Sequence, residues 1–231
     1  SNITVSGDQF GGFDVSLDED GDTLAVGAHK ENGVALDAGA AYVFSRTGTT
    51  WTEQAYLKAD NAGKGDEFGS SVSLSNDGNT LAVGGPLEDS SVGGINSGSG
   101  GNNSRSNTGA VYVFTRAAAV WTQQAYIKPD VAAFNAACGY HTEISGDGLT
   151  LATTCRRERS NAIGINGNQS NTSMVNAGAA YVWIFDGGAW QQQAYVKASN
   201  TQSRDLFGSG LSISNDGSRL VISSQDEDSL A

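Results

Sequence analysis

The chain has 231 residues and a net charge of −12, and its 13 Lys and Arg are scattered, so a phosphate-binding surface for nucleic acid is disfavoured. Apolar residues make up 38 %, and no run approaches the ~18 apolar residues of a membrane-spanning helix. Gly is abundant at 31 but Pro is only 2, which points to a turn-rich folded chain and away from low-complexity disorder.

In chain order, the first signal is a short hairpin, Leu17…Asp20-Gly21…Leu24. It returns most clearly at 65–85, where Val72 and Leu74 alternate with polar neighbours, Asn76-Asp77-Gly78-Asn79 turns the chain, and Leu81-Ala82-Val83 comes back. Period-two alternation marks a half-buried strand, and Asn/Asp-Gly supplies the positive φ of a tight turn. Ile144…Asp147-Gly148…Leu151 and Ile213…Asp216-Gly217…Leu220 repeat it. Three of the hairpins are followed by a loop and a third strand, at 38–44, 108–114 and 177–183, in which small residues lead into Tyr-Val-Phe or Tyr-Val-Trp. A fourth strand follows at 51–58, 121–128 and 190–197, each starting with Trp and ending in Ala-Tyr-x-Lys.

Trp51 and Trp121 lie 70 residues apart, and Trp121 and Trp190 lie 69 apart. A hairpin alone is marginal in water, so such a period means a repeat architecture. The expected fold is all-β: a β-propeller of four-stranded antiparallel blades, strand one near the axis and strand four at the rim. Fourteen strands make about three and a half blades, with repeats at approximately 7–64, 65–133, 134–203 and 204–231, the last incomplete. A linear β array or sandwich is the alternative, but Gly39-Ala40, Gly109-Ala110 and Gly178-Ala179 suit close blade-to-blade approach. The loops between strands two and three vary most, from 29–37 to 86–107 and 156–176; their Gly, Ser and Asn content predicts exposed excursions, 98–101 included.

Cys138 and Cys155 flank the third hairpin at nearly facing positions, which suits a disulfide in an oxidising compartment, with two buried thiols as the alternative. His29 and His141 stand in different repeats without a recurrent partner, and no G-x-S-x-G elbow, H-E-x-x-H pair or phosphate loop is present. No enzyme is expected. Glu88, Asp89, Glu227 and Asp228 read as solvated loop acids, and Arg156-Arg157-Glu158-Arg159 as a local variation of a loop. The repeated Tyr42, Tyr56 and Trp51 read as packing residues before sugar platforms. Asn2, Asn102, Asn168 and Asn171 fit the N-x-S/T acceptor pattern.

Phe10-Gly11, Phe68-Gly69 and Phe207-Gly208, with Val26-Gly27-Ala28 and Val83-Gly84-Gly85-Pro86 ending strand two, resemble the FG-GAP repeat family of integrin-alpha-type propellers, in particular its bacterial subgroup. The third copy departs, with Cys138-Gly139 for Phe-Gly and Thr153-Thr154-Cys155 for Val-Gly-Ala. The fourth has Ser223-Ser224 in place of the glycines, and the first carries an extra residue near Gly12-Phe13, read as a β-bulge. The resemblance implies a ring that commonly closes with seven blades. Both chain ends fall within a repeat, so the missing blades are expected from a longer polypeptide or another subunit.

The resemblance also implies calcium, because many such blades carry alternating aspartates in the turn between strands one and two. Asp18, Asp20 and Asp22 alternate in this way, although Gly21 is misplaced and Leu24 stands where a last acid belongs. A plain Asx turn is the other reading. No other cofactor is expected. The function implied is a non-enzymatic extracellular or cell-surface module for adhesion, recognition or assembly, binding protein or glycan through its variable loops. The alternatives are a calcium-dependent or lectin-like propeller and a non-catalytic domain of a larger secreted enzyme.

Overall fold

The computed structural model describes residues 7–97 and 103–228; Asn2, Asn102 and the segment 98–101 therefore lie outside the described residues. Blade one consists of β1 (Val15–Leu17), β2 (Thr23–Ala28), β3 (Ala40–Thr47) and β4 (Thr50–Leu57), paired antiparallel in chain order. Blade two consists of β5 (Ser71–Leu74), β6 (Thr80–Gly85), β8 (Ala110–Ala117) and β9 (Val120–Lys128), with a short extra strand, β7 (Gly94–Ile95), outside β9. Blade three is β10 (Cys138–Ile144), β11 (Thr150–Cys155), β12 (Ala179–Phe185) and β13 (Trp190–Val196), and β14 (Phe207–Ile213) with β15 (Leu220–Ser224) forms a half-blade. The fold is a β-propeller, with β1, β5, β10 and β14 packed side by side around the axis.

The long loop of blade two is not purely an exposed excursion. Gly94 and Ile95 pair with Lys128 and Ile127, and Asn96 exchanges bonds with Tyr126 through its backbone N–H and its side-chain Oδ1. Asn166 does the same at Tyr195 in blade three. An outermost strand exposes a row of unpaired N–H and C=O groups, and these loops fold back to cover them. The extra residue of blade one is not a bulge within a strand either: Gly12 N–H bonds Gln9 O in a turn ahead of β1.

Blades pack through alternating faces. Phe68, Leu81, Val83, Tyr112, Phe114 and Tyr126 of blade two meet small aliphatics of blade one, Ala25, Ala41, Val43, Leu57 and Ala59. The opposite face of blade two, with Ala82, Val111, Val113, Ala125 and Ile127, meets blade three. Tight contact depends on glycine at the third-strand entrance. Gly39 (φ +82°) and Gly109 (φ +77°) each sit so close to the next blade that a Cβ would run into the backbone of Phe68 or Cys138. At the rim, Trp121 Nε1 donates to Gln54 Oε1 and Trp190 Nε1 to Gln124 Oε1, both at 2.9 Å. The repeated tryptophans thus tie blade to blade. Trp51 and Tyr56 of blade one are 40 % and 43 % exposed, against 9 % for Trp121 and 1 % for Tyr126, so that face of blade one is uncovered.

Around the axis the inner strands are stitched by side chains. Asp14 Oδ2 accepts from Val72 N–H, Ser16 Oγ from Leu74 N–H, and Ser73 Oγ from Ile144 N–H. The turns add a second ring of bonds, Glu19 N–H to Asn76 O, Asn76 N–H to Gly146 O and Gly146 N–H to Asn215 O.

Candidate functional site

Antiparallel order places the turns between strands one and two at one end of the propeller and the loops between strands two and three at the other. On the turn end, Ser75 Oγ caps Thr80 N–H while Asp77 Oδ1 accepts from Ser75 Oγ and Asn79 N–H. Ser145 with Asp147, and Ser214 with Asp216, repeat the arrangement. In blade one Asp18 stands where these serines stand. Its Oδ1 accepts from Asp22 N–H at 2.9 Å and Thr23 N–H at 3.0 Å. Burial works to raise the Asp18 pKa, but the bonds from Thr23 and Asp22 outweigh it and hold the carboxyl below its ordinary value. Asp20 and Asp22 are exposed. The Asp18 carboxylate is thus engaged by backbone, and no group of three or more His, Cys, Asp or Glu side chains among the described residues is arranged to hold a metal ion.

Cys138 and Cys155 are register partners on β10 and β11, and the two are joined as a disulfide. The axis contains a cavity of about 150 Å³ lined by Phe13, Asp14, Ser70, Tyr140, His141 and Glu143, among others. Burial raises the Asp14 and Glu143 carboxyls above their ordinary values and lowers His141. His29 does not line this cavity but packs against one of its lining residues. It is buried edge-on against Phe13 at 4.4 Å between ring centres, and burial lowers its pKa.

The loop end is built on a feature that reading the chain for solvated loop acids missed. Glu88 is buried, 1 % exposed, and pairs with Lys128 at the end of β9; Asp89 is half-buried and accepts from Asn107 N–H at 2.7 Å. Lys128 Nζ also donates to Ser90 O at 3.0 Å and Thr108 Oγ1 at 2.6 Å. Glu31 pairs with Lys58 in blade one, and Glu158 with Lys197 at 2.8 Å in blade three. Each complete blade therefore roots its variable loop by an acid at the loop's start and a lysine at the end of strand four. The signal was in the repeat: Glu recurs at a fixed place after strand two, and Lys closes every Ala-Tyr-x-Lys. Glu227 and Asp228, in contrast, are exposed. Beside Glu88, Asp66 is buried with Oδ2 accepting from Gly63 N–H at 2.7 Å. Burial, with Glu88 and Asp89 adding to it, pushes its pKa up to about 6.

Above these roots the loop face is apolar in patches. Val34 and Leu36 in the first loop, Phe134 in the linker to blade three, and Ile163, Ile165 and Val175 in the third loop are all exposed. Asn168 and Asn171 lie in the third loop, each with its Oδ1 turned to a backbone N–H two residues on, at Ser170 and Ser173.

Residues 4–44 and 51–114 match the family model of the FG-GAP repeat. That part of the chain belongs to the FG-GAP repeat family. No curated protein matches the chain. Among solved structures, the tricorn protease is similar at 13 % identity and a TM-score of 0.40 over 77 % of this chain and 14 % of that one. A putative 6-phosphogluconolactonase from Bacteroides uniformis is similar at 10 % identity and a TM-score of 0.42 over 92 % of this chain and 64 % of that one. The chain thus spans 14 % and 64 % of the length of these two proteins. No helix among the described residues is long and apolar enough to cross a membrane.

Proposed function

We propose that the chain is a non-enzymatic recognition and assembly module, extracellular or on a cell surface, that binds protein or glycan through the loop face. The observation that carries this reading is the contrast within that face. The loop roots are fixed by a repeated ion pair, while the loops differ in length and expose Val34, Leu36, Phe134, Ile163 and Ile165. Exposed apolar side chains carried on variable loops of a rigid scaffold are a usual mark of an interaction site. Protein and glycan arrays probed with the chain, and with an Ile163→Ser/Ile165→Ser variant, test it. Loss of captured ligands in the variant supports the reading. Ligands retained in full by loop variants, or no ligand on either array, overturn it. Binding that disappears with a chelator would favour the calcium-dependent alternative.

The second surface is the uncovered aromatic face of blade one. Blade two shows what such a face accepts, namely the small-aliphatic face of a neighbouring FG-GAP blade with a Gln at the rim. Trp51, Tyr56 and Phe44 are accordingly read as a seat for a further blade, from the same longer chain or from another subunit. Analytical ultracentrifugation of the chain with a Trp51→Ser control tests whether a second copy takes that seat.

A further inference from the structure

Arg156, Arg157 and Arg159 open the third loop of a protein whose net charge is −12. Lys30, Lys58, Lys128 and Lys197 are each paired with a carboxylate, yet no ion pair among the described residues uses any of these arginines. They are not spread into solvent. Arg156 stacks on Tyr140 with its guanidinium carbon 4.2 Å from the ring centre, and the Nε atoms of Arg156 and Arg159 are buried without a hydrogen-bond partner. Arg156 and Arg157 line a cavity of about 250 Å³ on the loop side of blades two and three, with Tyr140, Pro86, Leu87 and Glu67. Glu67 is the one acid in that lining, and it is engaged by Lys30.

A guanidinium is a planar fork of donors that matches a carboxylate or sulfate, and it is worth most where it is partly shielded from water. The volume lies below the ~300–1,000 Å³ of sites for drug-sized ligands, which limits the occupant to about one ring. We infer that this cavity binds an oxyanion, a carboxylate or sulfate, carried on a ligand of single-sugar size. Arg156 and Arg157 hold the anion, and Pro86 and Leu87 meet the ring's apolar face. The inference rests on the reading of the loop end as a recognition surface and names a ligand chemistry for it.

Calorimetry with D-glucuronate, inorganic sulfate and neutral D-glucose tests it on the whole chain. Glucuronate and sulfate should bind, glucose should not, and affinity should fall as salt rises. Arg157→Ala, which leaves the Arg156–Tyr140 stack in place, should weaken glucuronate about tenfold or more at unchanged melting temperature. Glu67→Gln removes the opposing negative charge and should tighten it, a gain that misfolding cannot mimic. Equal binding of glucose, or indifference to Arg157→Ala, overturns the anion site. Silence of both anions while the arrays return ligands overturns the anion site alone. Arginine-dependent glucuronate binding with empty arrays upholds it and overturns the broader loop-face reading.

Discussion

Lys128→Met is the sharpest perturbation of the scaffold. The Lys128 side chain is 0 % exposed and that of Glu88 is 1 %, so the substitution strips a buried carboxylate of its cation. Ser90 N–H and Asn61 Nδ2 remain to Glu88 at 3.0 and 3.3 Å, two bonds that do not neutralise the charge. Breaking one side of a buried pair costs about 3–5 kcal/mol. Blade one offers the internal comparison, because Lys58 and Glu31 are 14 % and 12 % exposed and solvent screens what is left behind. Lys58→Met should cost about 1–2 kcal/mol, between an exposed pair and a buried one. Burial lowers the Lys128 pKa by more than Glu88 restores, so the pair is a compromise, and Lys128→Met/Glu88→Gln should recover most of the single-variant loss. Urea titration followed by tryptophan fluorescence and circular dichroism reads all three. Equal costs at Lys128 and Lys58, or a double variant no better than the single, would refute the argument from burial.

Asp66 predicts a pH effect. Its folded pKa, raised to about 6, lies above the ordinary ~3.9, so its proton favours the fold; that stability is complete below pH ~4 and is lost as pH climbs through about 6. Relative to Asp66→Asn, wild type should lose up to about 3 kcal/mol between pH 4 and 7, and a pH-independent difference in urea melts would contradict this. Gly109→Ala should cost more than about 4 kcal/mol through backbone overlap, whereas Gly48→Ala, with the same positive φ but open space, should cost about 1–2; matched thermal melts compare them. The Cys138–Cys155 bridge closes a separation of 17 residues and should contribute about 3 kcal/mol, with non-reducing peptide mapping expected to recover the linked peptides and native free thiols the contrary result. Asp18→Ala should cost about 1 kcal/mol, and Asp18→Ser should restore it because Ser75 fills that place in blade two; a calcium-induced rise in melting temperature seen in wild type but not in Asp18→Ser would instead make Asp18, Asp20 and Asp22 a metal site.

The blades were legible because their signals are local. An Asp-Gly turn between alternating strands needs nothing beyond ten residues, and Tyr42, Tyr112 and Tyr181 recur at fixed spacing. The loop roots were not read, because Glu88 and Lys128 meet across 40 residues and hydropathy assigns both to solvent. The repeat had recorded the pairing, but only a comparison between copies, with charge in mind, would expose it. The arginine cavity is harder still. Arg157, Pro86, Glu67 and Tyr140 come from a loop, a strand end, a linker and an inner strand, and only the fan of blades makes them neighbours. Asp18 supports two readings for a physical reason, since a carboxylate that accepts backbone N–H groups and one that awaits a cation follow the same spacing.

The ring of bonds between turns runs one way. Glu19 donates to blade two, Asn76 to blade three and Gly146 to the half-blade, so each unit offers a donor on one side and an acceptor on the other. The assembly is therefore a directional polymer of blades, with its stability summed over nearest neighbours. Blade two, flanked on both sides by complete blades, should exchange its amides most slowly, and a lesion at one interface should loosen two blades and leave the rest untouched.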